Sequence, residues 1–342
     1  MPGHIEWTPS ALALDAAGPS ASPFVMPVPT SFASETWSGG LVAGVPADIR
    51  RVVVRRGVAL VGAQREVLML RAGEEHFASR ALPRGVAPIC AMSVEPRRGP
   101  RLAIGTPRVI AVLDGDAVGT RHLDPLASPL EDLAWGPCPG GGWALYELSA
   151  DGALERTRPE TGGVEEIPLS FPIALASGDD GLLAVASIDP EAPAVWTTRD
   201  GKTWSYRLLP ELDGMGVHGF AVAGEAAAIS LAGQGVFVSR GLDAPFTRCA
   251  ALERGTALAF EGDGPAAPLL GVVHPEFAET IVRVEADGTA ARVVTIETPV
   301  GAPEPFVSAL VWDASRSVLW ASIEGVGLLR TAPKHARGGQ LS

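Results

Sequence analysis

Residues 183–210 read LAVASIDPEAPAVWTTRDGKTWSYRLLP. An apolar core, LAVA, is followed after a short polar gap by a second run, AVWTTRDG, which turns at Asp-Gly into a third run closing on proline. A further apolar segment, PIALASG (172–178), lies just ahead of the core. Short β-forming runs separated by Gly, Pro, Asp and Asn are strands joined by tight turns, so this stretch is a four-stranded antiparallel unit.

The unit recurs. Equivalent cores are VALV (58–61), LAIG (102–105), WALY (143–146), LAVA (183–186), ISLA (229–232), LGVV (270–273) and LWAS (319–322), with successive offsets of 44, 41, 40, 46, 41 and 49 residues. Four strands repeated about every 43 residues, seven times over, predict a seven-bladed β-propeller. The cores carry no polar alternation because each blade buries both faces against its neighbours. One domain over 1–333 is expected, with blades at roughly 48–83, 87–125, 130–170, 172–210, 216–251, 256–299 and 306–333, and a flexible tail at 334–342.

The seventh unit runs out after GVGLLRTAP, one strand short. An open blade edge invites aggregation, so a strand from the opposite terminus is expected to close it. SPFVMPVP (22–29) is apolar and ends on proline like the other outer strands, which makes it the expected donor, with SALAL (10–14) the alternative.

Composition agrees with this architecture and narrows the function. The chain has 342 residues, 46% hydrophobic and 19% charged, with 40 Gly and 30 Pro, a globular composition rich in turns. A net charge of −12 disfavours nucleic acid, whose binding rests on neutralising phosphates with Lys and Arg. Cys90, Cys138 and Cys249 form no C-x-x-C pair and signal neither a disulfide framework nor a zinc site. No signal peptide or membrane anchor is read at the N-terminus, so a cytoplasmic protein is expected.

The hairpin TRDGKTW (198–204) resembles the Asp-box, or BNR-like, repeat of sialidases, sortilin-type receptors and photosystem II assembly propellers, with a loop one residue shorter than the common S-x-D-x-G-x-x-W form. GVFVSRGLDAPF (235–246) and GVGLLRT (325–331) are looser copies. The resemblance implies a structural box away from the ligand face, formed by Thr198, Asp200, Gly201 and Trp204. An Asp side chain accepts backbone N–H bonds in such a turn, and glycine supplies a left-handed residue.

Enzymatic signals are sparse. A sialidase would need an arginine cluster, an activated Tyr and an F/Y-R-I-P motif; the nearest string is ALPRG (81–85), Tyr206 falls on a peripheral strand and Tyr146 in a blade core. GPCPGGGW (136–143) precedes a strand rather than a helix and is a turn, not a phosphate loop. Trp135, Trp143, Trp312 and Trp320 read as core. No catalytic residue and no cofactor are assigned. The first expectation is a non-catalytic scaffold that binds a protein with a basic surface, without nucleic acid or membrane, through an acidic loop face that includes Asp189, Glu191, Asp213, Glu276 and Glu279. The alternative is a metal-dependent hydrolase or lactonase centred on His218 and His274 near the channel mouth.

Overall fold

A computed structural model describes residues 8–9, 32–33, 37–96, 101–210, 216–241, 243–253, 255–274, 278–297 and 306–333. Seven antiparallel sheets, each of at least four strands, form the blades of a β-propeller, and in all but the last the first four strands follow one another in the chain. The innermost strands are Arg51–Arg55, Ala91–Val94, Leu130–Pro137, Pro172–Ser177, Val217–Ala223, Leu258–Phe260 and Val307–Asp313. Each begins on what we term the upper face, which also carries the loops between blades. The hairpins joining first to second and third to fourth strands lie on the lower face.

The core is divided among the blade interfaces. Buried apolar residues fall into seven clusters, each straddling one pair of neighbouring blades. Second strands such as Leu183–Ser187 and Ala226–Leu231 are buried along their whole length, as two-sided contact requires.

N-terminal closure of the last blade is observed, but by a different segment from the one expected. Its outer strand is Trp37–Leu41, paired antiparallel with Gly327–Pro333 in the register Gly39↔Thr331. Residues 10–14 and 22–29, and the tail at 334–342, lie outside the described residues. The physical reason for the correction is visible in composition. SPFVMPVP has three prolines, each without an N–H for the ladder, whereas WSGGL has none. Trp37 is buried against Trp312, with ring centroids 5.9 Å apart. Gly39 permits the close approach, because a β-carbon there would collide with the Arg330 carbonyl oxygen. Two shorter N-terminal pieces add fifth strands elsewhere: Thr8–Pro9 on blade two and Phe32–Ala33 on blade six.

Arginines link the blades through the lower face. Arg80 of blade one donates to the Gly115 carbonyl of blade two, and Arg156 of blade three to the Gly201 carbonyl of blade four. Arg207 of blade four reaches the Glu225 and Gly241 carbonyls of blade five at 3.3 and 2.9 Å. Arg240 of blade five meets the Pro265 and Ala267 carbonyls of blade six, and Arg316 of blade seven the Leu70 carbonyl of blade one at 3.4 Å. Between blades two and three, carboxylates take the place of carbonyls: Arg101 pairs with Glu160 at 2.6 Å on the lower face, and buried Arg121 with buried Glu147 nearer the upper ends of their strands.

Closure by Trp37–Leu41 gives the first prediction. Trp37→Ala removes a buried indole and should destabilise the fold by about 3–5 kcal/mol. Deletion of residues 1–41 should lower the melting temperature much further than deletion of residues 1–36; equal melting temperatures for the two truncations would contradict the assignment.

Candidate functional site

The seven innermost strands enclose an axial cavity of about 310 Å³ lined by every blade. Its walls are mostly backbone and apolar side chains, among them Met92, Leu175, Phe220, Leu258 and Trp312. At the lower end Arg55, 8% exposed, reaches across from blade one to blade four, where it pairs with Asp179 and donates to Ser177 Oγ at 3.0 Å and to its carbonyl at 3.3 Å. That bridge spans the lower mouth. Asp263, beside it, has its carboxyl raised by burial and by the like charges of Asp179 and Asp180, with Arg55 opposing.

Toward the upper end stands Asp132. Burial pushes its carboxyl up to about 6, against the pull of Arg51 and of backbone N–H bonds from Leu175 and Leu133. These bonds measure 3.1 Å to Oδ2 and 2.9 Å to Oδ1. Nearby Cys90 has its thiol pushed up to about 11, chiefly by burial, which makes it a poor nucleophile at neutral pH.

The expected site residues have diverse fates. Asp189 and Glu191 lie on the upper face in the turn between the second and third strands of blade four; Asp189 Oδ1 accepts the Glu191 N–H at 2.9 Å, a self-capped turn. Asp213 and Glu276 lie outside the described residues. Glu279 is corrected: at 3% exposure it cannot belong to a solvent-facing acidic patch. Its carboxylate meets His274 Nδ1 at 2.9 Å and accepts the Val307 N–H at 2.8 Å, tying blade six to blade seven. The upper face carries both signs of charge, separated by blade. Exposed Arg50, Arg65, Arg84 and Arg108 sit with Asp48 and Asp124 around blades one and two, whereas Glu131, Asp151, Asp189 and Glu191 gather on blades three and four.

His218 and His274 sit on adjacent blades of this face. His218 is exposed on the innermost strand of blade five, and the next residue, Gly219, packs against the backbone of Thr256. His274 has both ring nitrogens engaged, Nδ1 by Glu279 and Nε2 by Thr256 Oγ1 at 3.1 Å, and its ring stacks on Phe306. Among the described residues no group of three or more His, Cys, Asp or Glu side chains is placed to hold a metal ion.

The TRDGKTW hairpin is built as a box and docked as a wedge. Asp200 Oδ1 accepts N–H bonds from Thr203 at 2.7 Å and Lys202 at 2.8 Å, and Thr198 Oγ1 accepts that of Gly201 at 2.9 Å. Those backbone bonds hold the Asp200 carboxyl down at about 2. Gly201 has φ +69°, and a β-carbon there would collide with the Pro137 carbonyl oxygen and lie 2.9 Å from the Tyr146 hydroxyl. Trp204 packs edge-on against Tyr146 of blade three, ring centroids 6.2 Å apart. Arg156 completes the joint with Tyr146 Oη at 3.2 Å and Glu165 at 2.6 Å.

Sequence reasoning missed two features. Arg55 sits in a run of arginines and valines with nothing to show that it crosses the channel. Phe171, in the loop between blades three and four, is 61% exposed and has φ 47°; only its position just before Pro172 could have drawn attention.

No family model and no curated protein matches the chain. Solved structures do. Virginiamycin B lyase from Staphylococcus aureus is similar with a TM-score of 0.63 at 13% identity, over 88% of this chain and 99% of that one. YCF48 bound to D1 peptide gives 0.59 at 14% identity, over 90% and 100%. BBS1N in complex with ARL6DN gives 0.60 at 14% identity, over 91% and 100%.

Two predictions follow from the geometry. Gly201→Ala should destabilise the protein by about 1–3 kcal/mol through backbone strain alone, with the collision adding to it; an unchanged melting temperature would refute the wedge. Asp132 is an acid whose folded pKa is raised, so its contribution to stability is complete below pH ~4 and lost as pH rises through about 6. Asp132→Asn should flatten stability across that window, measured by urea unfolding at pH 4 to 8; an unaltered slope would contradict the assignment.

At these identities the structural likenesses carry the fold alone, and the chain is a seven-bladed β-propeller.

Proposed function

We propose that this chain is a non-catalytic interaction scaffold of the Asp-box propeller type, which binds a protein partner through its upper face. The observation that carries the reading is where large apolar side chains remain in water. Leu126 (95% exposed), Phe171 (61%) and Phe306 (45%) all lie in loops between blades on the upper face. Val164, Tyr206 and Leu208, the other three such residues among those described, are on outer strands, so none is on a lower hairpin. Large apolar side chains left in water on one face and absent from the other favour that face for docking, and covering the most exposed of them is worth up to about 3 kcal/mol each.

Two propeller-like neighbours support the reading because each holds a protein ligand: YCF48 a D1 peptide, and BBS1N the protein ARL6DN. Virginiamycin B lyase has a similar fold and is an enzyme, so fold by itself does not choose. The net charge of −12 and the acids of blades three and four favour a partner with basic surface over nucleic acid or an anionic membrane.

Affinity purification with the wild-type chain and with a Leu126→Ser, Phe171→Ser, Phe306→Ser variant tests this. The wild type should retain a stoichiometric protein partner that elutes as salt is raised, and the variant should lose it while staying folded. Equal capture by both, or elution insensitive to salt, would overturn the proposal.

A further inference from the structure

Phe171 pays twice for its position. A bulky residue with φ 47° occupies the left-handed region that L-residues with a β-carbon avoid, and the residue before a proline is pushed toward extended backbone as well. The conformation is imposed by the blade. The Phe171 carbonyl accepts the Ile188 N–H at 3.1 Å, the Ser170 carbonyl accepts the hydroxyl of buried Ser187, and Pro172 pairs with Ser187 in the sheet. In an ordinary core residue, burial of the ring would offset such strain. Here the ring is 61% exposed, so within the free chain the strain has little return. Strain of this kind persists where it positions a group for use.

The surroundings define what the ring is positioned for. On one side the Asp151–Gly152 hairpin of blade three approaches closely, a β-carbon at Gly152 lying 3.5 Å from the Pro172 carbonyl oxygen. On the other side the chain runs from Ile188 directly into the turn bearing Asp189 and Glu191. None of the three carboxylates forms an ion pair among the described residues. Asp151 accepts the Ser149 hydroxyl at 2.5 Å, and that bond, with one from Ser128, holds its carboxyl below the usual range. The three carboxylates thus have no cationic partner among the described residues.

We infer that Phe171, with the turns bearing Asp151 and Asp189 and Glu191 on either side of it, is the anchor of the docking surface and takes an extended segment of a protein partner in which an apolar side chain is flanked by Lys or Arg. This rests on the reading of the upper face as an interaction surface. A rigid aromatic anchor supplies contact area at little entropic cost, and unpaired carboxylates beside it select cationic neighbours.

The test uses the full chain and a phage-displayed library of random dodecapeptides. Peptides enriched on the wild type should carry an apolar residue between basic ones, and should bind less well as salt is raised. Phe171→Gly should raise the melting temperature, since glycine is at ease in the left-handed region, and yet weaken those peptides roughly thirtyfold or more. Asp189→Asn with Glu191→Gln, which preserves the turn, should weaken them at low salt and matter little at high salt. Enriched peptides without basic residues would overturn the inference, as would a Phe171→Gly variant that keeps full binding or melts lower. If binding survives Phe171→Gly but is lost in the triple Ser variant, the anchor is misassigned while the scaffold reading stands. Failure to enrich any peptide counts against both.

Discussion

An arginine handed from one blade to the backbone carbonyls of the next is the interaction that organises this molecule. A hairpin at a blade end leaves carbonyls that its own strands cannot pair, and burying them unpaired is costly. A guanidinium offers five N–H donors in a fixed fork and stays charged, so a single side chain can satisfy several such groups across an interface. Arg156 shows the full pattern: almost wholly buried, it holds the Gly201 carbonyl, the Tyr146 hydroxyl and Glu165 together, and so fixes one blade's wedge in its neighbour's flank. The satisfaction is incomplete elsewhere. Among the described residues Arg207 Nε and Nη2 have no hydrogen-bond partner, and within the buried Arg121–Glu147 pair neither do Arg121 Nε and Glu147 Oε1. Such groups add less stability than their number suggests.

This use of arginine separates the two faces. The lower hairpins are committed to holding the ring, and Arg55 spans the channel there. The upper loops carry little of that duty, and what links blades toward that face is mainly carboxylates accepting a neighbour's N–H, Glu279 from Val307 and Asp132 from Leu175. These loops carry the strained Phe171, the exposed Leu126 and Phe306, and carboxylates that cap their own turns instead of pairing with cations. A ligand reaching the axial cavity would therefore meet fewer obstacles from above, where Asp132 and Arg51 stand.

The repeat was legible in the sequence because two-sided burial forces small and large apolar residues into the same strand at a fixed period. The box at Thr198–Trp204 was legible for a related reason, since Asp, Gly and Trp each have a local task whatever surrounds them. The closing strand was not. Proline at a run's end marks outer strands here, so 22–29 looked suitable, while WSGGL has too little apolar character to stand out before Trp37 is seen against Trp312. Glu279 looked like a loop acid near His274 in sequence; what was not legible is its burial, which comes from the hairpin closing on His274 and from blade seven bringing the Val307 N–H to its carboxylate. The arginine links escaped for the same reason: each joins residues at least 18 positions apart, and Arg55 bonds to residues 122 and 124 positions away. Strain at Phe171 is a property of backbone angles, which no side-chain pattern encodes.

The central claim is that the lower face is built and the upper face is left open. Hydrogen–deuterium exchange of the free protein tests it most directly. The account predicts slow exchange, close to that of the second strands, for the amide of Gly201 and its neighbours in the lower hairpin, and fast exchange for residues 189–192 of the upper turn in the same blade. Equal exchange in the two segments, or slower exchange above than below, would contradict it.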